Sequence, residues 1–132
     1  MSFREVFELH PHPTTVDHEV LLRCIGECLD CAASCTSCAD ACLSEHDSQE
    51  LVAAIRLALD CADTCDAAGR VVTRQTAPDL RLMRAVVAAC ATACVACAEE
   101  CERHLHHPHC RVCAEVCRRC RKACDEVLAA IG

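Results

Sequence analysis

The stretch CIGECLDCAASCTSCADAC, residues 24–42, places cysteine at Cys24, Cys28, Cys31, Cys35, Cys38 and Cys42, with gaps that run 4-3-4-3-4. A helix brings residues three and four apart onto one face, and alternating steps of four and three trace the a/d seam along which helices pack into a bundle. The pattern returns at Cys90, Cys94, Cys97 and Cys101, and again at Cys110, Cys113, Cys117, Cys120 and Cys124. Cys61 and Cys65 add one more gap of four, so all 17 cysteines fall into four segments. The thiols are therefore expected to line the inside of a tube of helices, where apolar side chains ordinarily sit.

Working outward, the start and stop signals frame four helices. Thr14 and Thr15 offer a cap, with Asp17 in the first turn, for a helix over about 16–45. Asp47 and Ser48, followed by Glu50, restart a helix at about 48 that runs to about 74, with Gly69 a mild blemish inside it. Thr76-Ala77-Pro78-Asp79 opens a third helix that continues to about 105, and His107-Pro108 opens a fourth that ends at Gly132. Short connections make neighbours antiparallel, and the chain has no alternating β-branched runs or hairpin dipeptides. The expected fold is all-α, an up-down-up-down four-helix bundle over residues 16–132 with a Cys-lined core, preceded by an N-terminal arm over 1–15.

Carried beyond the cysteines, the heptad register collects Leu21, Val72, Leu80, Met83, Val87, Val127 and Ile131 at one end of such a bundle, as an apolar plug. The other end collects Cys42, Cys101, Cys110 and the turn His104-Leu105-His106-His107-Pro108-His109. His104 continues the seam after Cys101 and is expected as a ligand, whereas His106 and His107 read equally well as solvated loop residues. His10 and His12 read as solvated residues of the arm, and His18 and His46 carry no sharp signal. Off the seam, Leu22, Leu29 and Leu43, then Val52 and Leu59, describe either a widened core face or a surface for self-association.

Composition narrows the chemistry. The 132 residues make one domain, and cysteine is about 13% of them. A secreted disulfide scaffold is disfavoured by the odd count, by the charged start MSFREVFELH without an apolar leader segment, and by the helical spacing. A reducing cytosol is expected instead. A net charge of -7 excludes nucleic acid as a natural partner, and no apolar run comes near the ~18 residues of a membrane span. There is no Trp or Tyr and only Phe3 and Phe7, so something other than aromatic packing must fill the core. Enzyme readings are weak, because nothing sets one thiol apart from the other sixteen and Gly26, Gly69 and Gly132 form no phosphate loop.

Free cysteine is a small hydrophobe, but a seam built of it sacrifices the buried area that Leu or Ile would supply. Thiol chemistry is the better account. Side chains at i and i+4 stand about 5–6 Å apart at Cβ, so each Cys-x3-Cys pair can clasp one soft ion. Cu(I) prefers thiolates and accepts few ligands. One Cu(I) replacing one thiol proton leaves a buried core neutral, whereas zinc on four thiolates leaves two negative charges there. A zinc or heavy-metal buffer and a thiol redox protein remain as alternatives.

These four Cys-bearing segments, above all Cys24–Cys42, together with the histidine turn between the third and fourth helices, resemble the cytosolic four-helix-bundle copper storage proteins. The resemblance covers the chain from about residue 16 onward. It implies multiple Cu(I) ions on core thiolates, a bundle that folds before metal arrives, a homotetramer, and a copper chaperone or small chelator as partner. By position it implies Cys24 through Cys124 as storage ligands and His104 and His109 as mouth ligands, while Met83, the one internal methionine, gives no Met-lined entrance.

Overall fold

Residues 2–132 are described by a computed structural model. The first 15 residues, expected as an arm, contain a seven-residue helix, α1 (Ser2–Glu8). The chain's two phenylalanines account for it: Phe7 is buried, and Phe3 packs over Gly26, where a Cβ would meet its ring at 3.6 Å. The long helices then follow as α2 (His18–Leu43), α3 (Val52–Thr73), α4 (Leu80–Cys101) and α5 (Pro108–Ile131).

Local chemistry sets their ends. The Asp17 carboxylate accepts from the backbone N–H groups of Glu19 and Val20 and caps α2. Thr14 does not serve there, because its hydroxyl donates to the Val16 carbonyl at 2.6 Å. A 3-10 turn over Ser48–Leu51 leads into α3. Asp79 caps α4 by accepting from Arg81 and Leu82, and Pro108 occupies the first turn of α5, where its missing N–H costs nothing. Helix α4 stops at Cys101 rather than near 105, so the histidine turn lies outside the helix and the heptad register does not extend through it.

Each long helix packs on the next, α2 on α3, α3 on α4, α4 on α5, and α5 back on α2, which closes the up-down-up-down ring. All 17 cysteines are buried inside that ring as free thiols. The apolar plug forms from Leu21, Val72, Met83, Val87 and Val127, joined by Ile25, whereas Leu80 is exposed and Ile131 only partly buried. Those two stand at the first position of α4 and the last of α5, where the bundle ends, and Ile131 still packs against the core from its edge. Gln75 seals the plug, donating from Nε2 to the Val72 carbonyl at 2.7 Å and reaching Met83 Sδ at 3.8 Å.

Two expectations change. Leu22 belongs to the core, but Leu29, Leu43, Val52 and Leu59 are exposed, so a widened core face accounts only for the first. Helix α4 is also long and apolar enough, by length and composition alone, to cross a bilayer. Its alanines and cysteines count as apolar, yet Met83, Val87 and its four cysteines face the other helices.

Candidate metal centre

The thiols crowd into a web along the core. Along single helices Sγ atoms approach at 4.0 Å for Cys24–Cys28, 3.7 Å for Cys31–Cys35 and 3.8 Å for Cys61–Cys65. Across helices the gaps are the same: Cys28–Cys90 3.9 Å, Cys31–Cys61 3.9 Å, Cys35–Cys117 3.6 Å, Cys65–Cys90 3.4 Å and Cys65–Cys120 3.9 Å. The Cys-x3-Cys pairs are therefore not privileged as clasps, since Cys28, Cys31, Cys35, Cys61 and Cys65 all have partners as close on neighbouring helices. Four-thiol groups result, among them Cys28/Cys90/Cys120/Cys124, Cys31/Cys61/Cys65/Cys94 and Cys35/Cys97/Cys113/Cys117, each with all sulfurs within 4.8 Å of one another.

With metal–sulfur bonds of about 2.3 Å, a linear unit spans about 4.6 Å between sulfurs and a tetrahedral one about 3.8 Å. The observed gaps suit ions shared among three or four thiolates, and a two-coordinate ion requires its pair to part slightly. No acidic or basic side chain other than His107 is buried among the described residues, and the only other buried polar side chain is Gln75. The web thus has no internal counter-charge, which favours an ion that replaces one proton by one positive charge. Burial pushes the Cys110 thiol up to about 12 and raises that of Cys42. Both are protonated at neutral pH until metal displaces the proton.

The end opposite the plug is built by the α2–α3 and α4–α5 turns. His109, on the first turn of α5, directs Nδ1 at Cys38 Sγ, 3.3 Å away, and at Cys110 Sγ, 3.6 Å away. Its Nε2 lies 2.8 Å from Glu45 Oε2. A carboxylate only accepts, so Nε2 carries the hydrogen and the Nδ1 lone pair faces the thiols. Cys38, Cys42, Cys110 and His109 form a further metal-sized group. His104 is placed differently: its Nε2 contacts Glu100 at 2.7 Å, and it sits past the end of α4.

Sequence reasoning missed the role of His107. It is buried, with Nδ1 at 2.8 Å from Glu45 and Nε2 hydrogen-bonded to Asp47 at 2.9 Å, so the ring lies between two carboxylates that favour its protonated form. The hydrogen bond to Asp47 raises the His107 pKa, and the same contact holds Asp47 at about 2. His106 stays exposed, 3.3 Å from Asp47. No spacing rule links Glu45 and Asp47 to histidines some 60 residues later, and Asp47 had a sufficient local explanation as a helix start. Of the remaining histidines, His10 bonds Thr76 at 3.3 Å, His18 packs on Phe7 with ring centroids 5.0 Å apart, and His12 and His46 are exposed.

The ring of four helices, lined by free thiols and closed at one end by hydrocarbon, lies almost wholly within residues 17–129, which match the sequence pattern of the copper storage protein family, Csp. This chain belongs to the copper storage protein family. A structure of the copper storage protein Ccsp from Streptomyces lividans, loaded with 10 copper equivalents, aligns with it at a TM-score of 0.94 and 50% identity, covering 97% of this chain and 98% of that one. A second structure, of copper loading to a cytosolic copper storage protein from Streptomyces lividans with five coppers, aligns at a TM-score of 0.85 and 55% identity over 86% and 96% of the two chains. The uncharacterized cysteine-rich protein YhjQ of Bacillus subtilis (strain 168) is 40% identical over 106 residues, 80% of this chain and 94% of its own length. The family stores copper and is not an enzyme family.

Proposed function

We propose that this copper storage protein holds many Cu(I) ions on the thiolates of its bundle core and so keeps them from free-copper chemistry. The observation that carries the reading is the set of 17 buried free thiols that line the core, many of them 3.4–4.0 Å from the next, with no internal counter-charge. All 17 cysteines, Cys24 through Cys124, serve as ligands in this reading, with His109 at the mouth. His104 is a weaker candidate, because Glu100 engages its Nε2. The test is anaerobic titration of the reduced apoprotein with Cu(I) against a competing chelator. Uptake approaching one ion per cysteine is expected, and joint replacement of Cys31, Cys35 and Cys38 by Ala should lower it. Unchanged capacity in that variant would defeat the core-ligand assignment.

The four-thiol groups favour one second reading, a zinc buffer, since their spacing also suits tetrahedral zinc. It predicts saturation at about one ion per four thiolates, and the buried double negative charge of each such site argues against it. In our reading the protein works in the cytosol, receives copper from a chaperone or small chelator, and associates as a homotetramer. The exposed Leu29, Leu43, Val52 and Leu59 on adjacent helices α2 and α3 support self-association. Light scattering of wild type against Leu43→Glu tests it, with dissociation expected.

A further inference from the structure

We infer that the thiol core is also a mercury(II) site, holding this soft divalent ion between two thiolates in line, at one ion for every two thiols. The inference rests on the storage reading above, since the same thiols hold both metals. It follows from the charge that the core can carry. All 17 cysteines are buried as free thiols, and the only buried polar side chains among the described residues are those of Gln75 and His107. His107 lies at the α4–α5 turn, paired there with Glu45 and Asp47. A bound ion leaves this core neutral only when its charge equals the number of thiol protons it displaces.

That condition sorts ions by the number of thiolates they require. Cu(I) displaces one proton and brings one charge. Zinc fills its tetrahedron with four thiolates and leaves two negative charges beside it. Mercury(II) completes its coordination with two thiolates, and the resulting unit is neutral. Two divalent ions with the same taste for sulfur are thus treated differently by the same core.

The spacing supplies the pairs. Cys24–Cys28 at 4.0 Å, Cys65–Cys90 at 3.4 Å and Cys42–Cys110 at 4.0 Å share no thiol. Together they span the tube from the plug to the opposite end. A linear bridge of about 4.6 Å parts each pair slightly, which a small rotation about χ1 on each side supplies. With HgCl2 as the source, two S–H bonds break and two S–Hg bonds form. Two protons leave with the two chloride ions, and no atom changes oxidation state. In copper-loaded protein the same charge condition makes one entering mercury(II) release two Cu(I). Seventeen thiols make eight pairs and leave one over.

Titration of the reduced apoprotein with HgCl2 tests the site, beside a parallel titration with Cu(I). Native mass spectrometry counts the ions, X-ray absorption counts the sulfurs on each, and circular dichroism follows the helices. The expected end point is near eight ions, each with two sulfurs, and an intact helical signal. Protein loaded first with Cu(I), then given HgCl2 with bathocuproine disulfonate to report free copper, should lose two Cu(I) for each mercury(II) bound. An end point near four ions or near one ion per thiol would overturn the paired site. So would three or four sulfurs per ion, loss of the helical signal during loading, or one-for-one release of copper. Each of those results leaves copper storage intact. Failure of the parallel Cu(I) titration would instead defeat the storage reading and the mercury site with it.

Discussion

At the turn between α4 and α5, His107 is gripped by two carboxylates, and the stability this lends depends on pH in a fixed direction. Its folded pKa is raised above the ordinary 6.5, so the contribution is complete below that value and is lost as pH climbs through the raised one. Asp47, lowered from 3.8 to about 2, contributes above 3.8 and loses that contribution only as pH falls through about 2. Apoprotein kept reduced should therefore melt higher than His107→Ala at pH 5–6, with the difference shrinking towards pH 8. Thermal denaturation followed by circular dichroism measures this, and a difference that grows with pH would refute the charged pairing of His107 with Asp47. A second single-residue effect sits at Ala77, whose φ of 50° lies in the left-handed region that costs a side chain about 1 kcal/mol. Ala77→Gly should leave stability unchanged or raise it by up to about 1 kcal/mol, the relieved strain outweighing the greater freedom of the unfolded glycine. Chemical denaturation of the apoprotein decides it.

Among the helices, Gly69 governs how closely α3 lies on α2. A Cβ there would meet the Cβ of Cys28 at 3.3 Å, an atom attached directly to the α2 backbone and unable to swing aside. Alanine is the better helix former by up to about 1 kcal/mol, but overpacking between two helices costs about 1–3 kcal/mol. Gly69→Ala should thus destabilise the apoprotein by roughly 1 kcal/mol and disturb the Cys28/Cys90/Cys120/Cys124 group. A gain in stability would show that α3 gives way freely. What read as a blemish in the sequence is a contact point, and only the neighbouring helix reveals it. The cap of α4 is simpler: Asp79→Ala removes the acceptor for the Arg81 and Leu82 N–H groups and should cost about 1 kcal/mol in the same denaturation assay.

For the whole molecule, the plug and the thiol web divide the core between them: Leu21, Ile25, Val72, Met83, Val87 and Val127 fill one end and the cysteines the rest. Loading should raise the melting temperature progressively, because ligand at a thousandfold over its dissociation constant adds about 4 kcal/mol. Thiols raised by burial, such as Cys42 and Cys110, must lose protons to bind, so loading at neutral pH should release about one proton per Cu(I). Weakly buffered titration with a pH indicator reads this directly, and absence of release would mean the thiols are already ionised. The sequence alone determined the four-helix ring, the inward face of every cysteine and the position of the plug, because a 4-3 repeat admits only one buried face and that face is written locally. It placed Leu80 and Ile131 too deep, since periodicity does not say where opposing helices end. It carried the seam through to His104, since it does not register that α4 stops at Cys101. Only the tertiary structure decided that cross-helix thiols are as close as those within a helix. Only it set His107 between Glu45 and Asp47 and aimed His109 at Cys38. Each of these depends on side chains distant in sequence meeting in space, and no local periodicity encodes such a meeting.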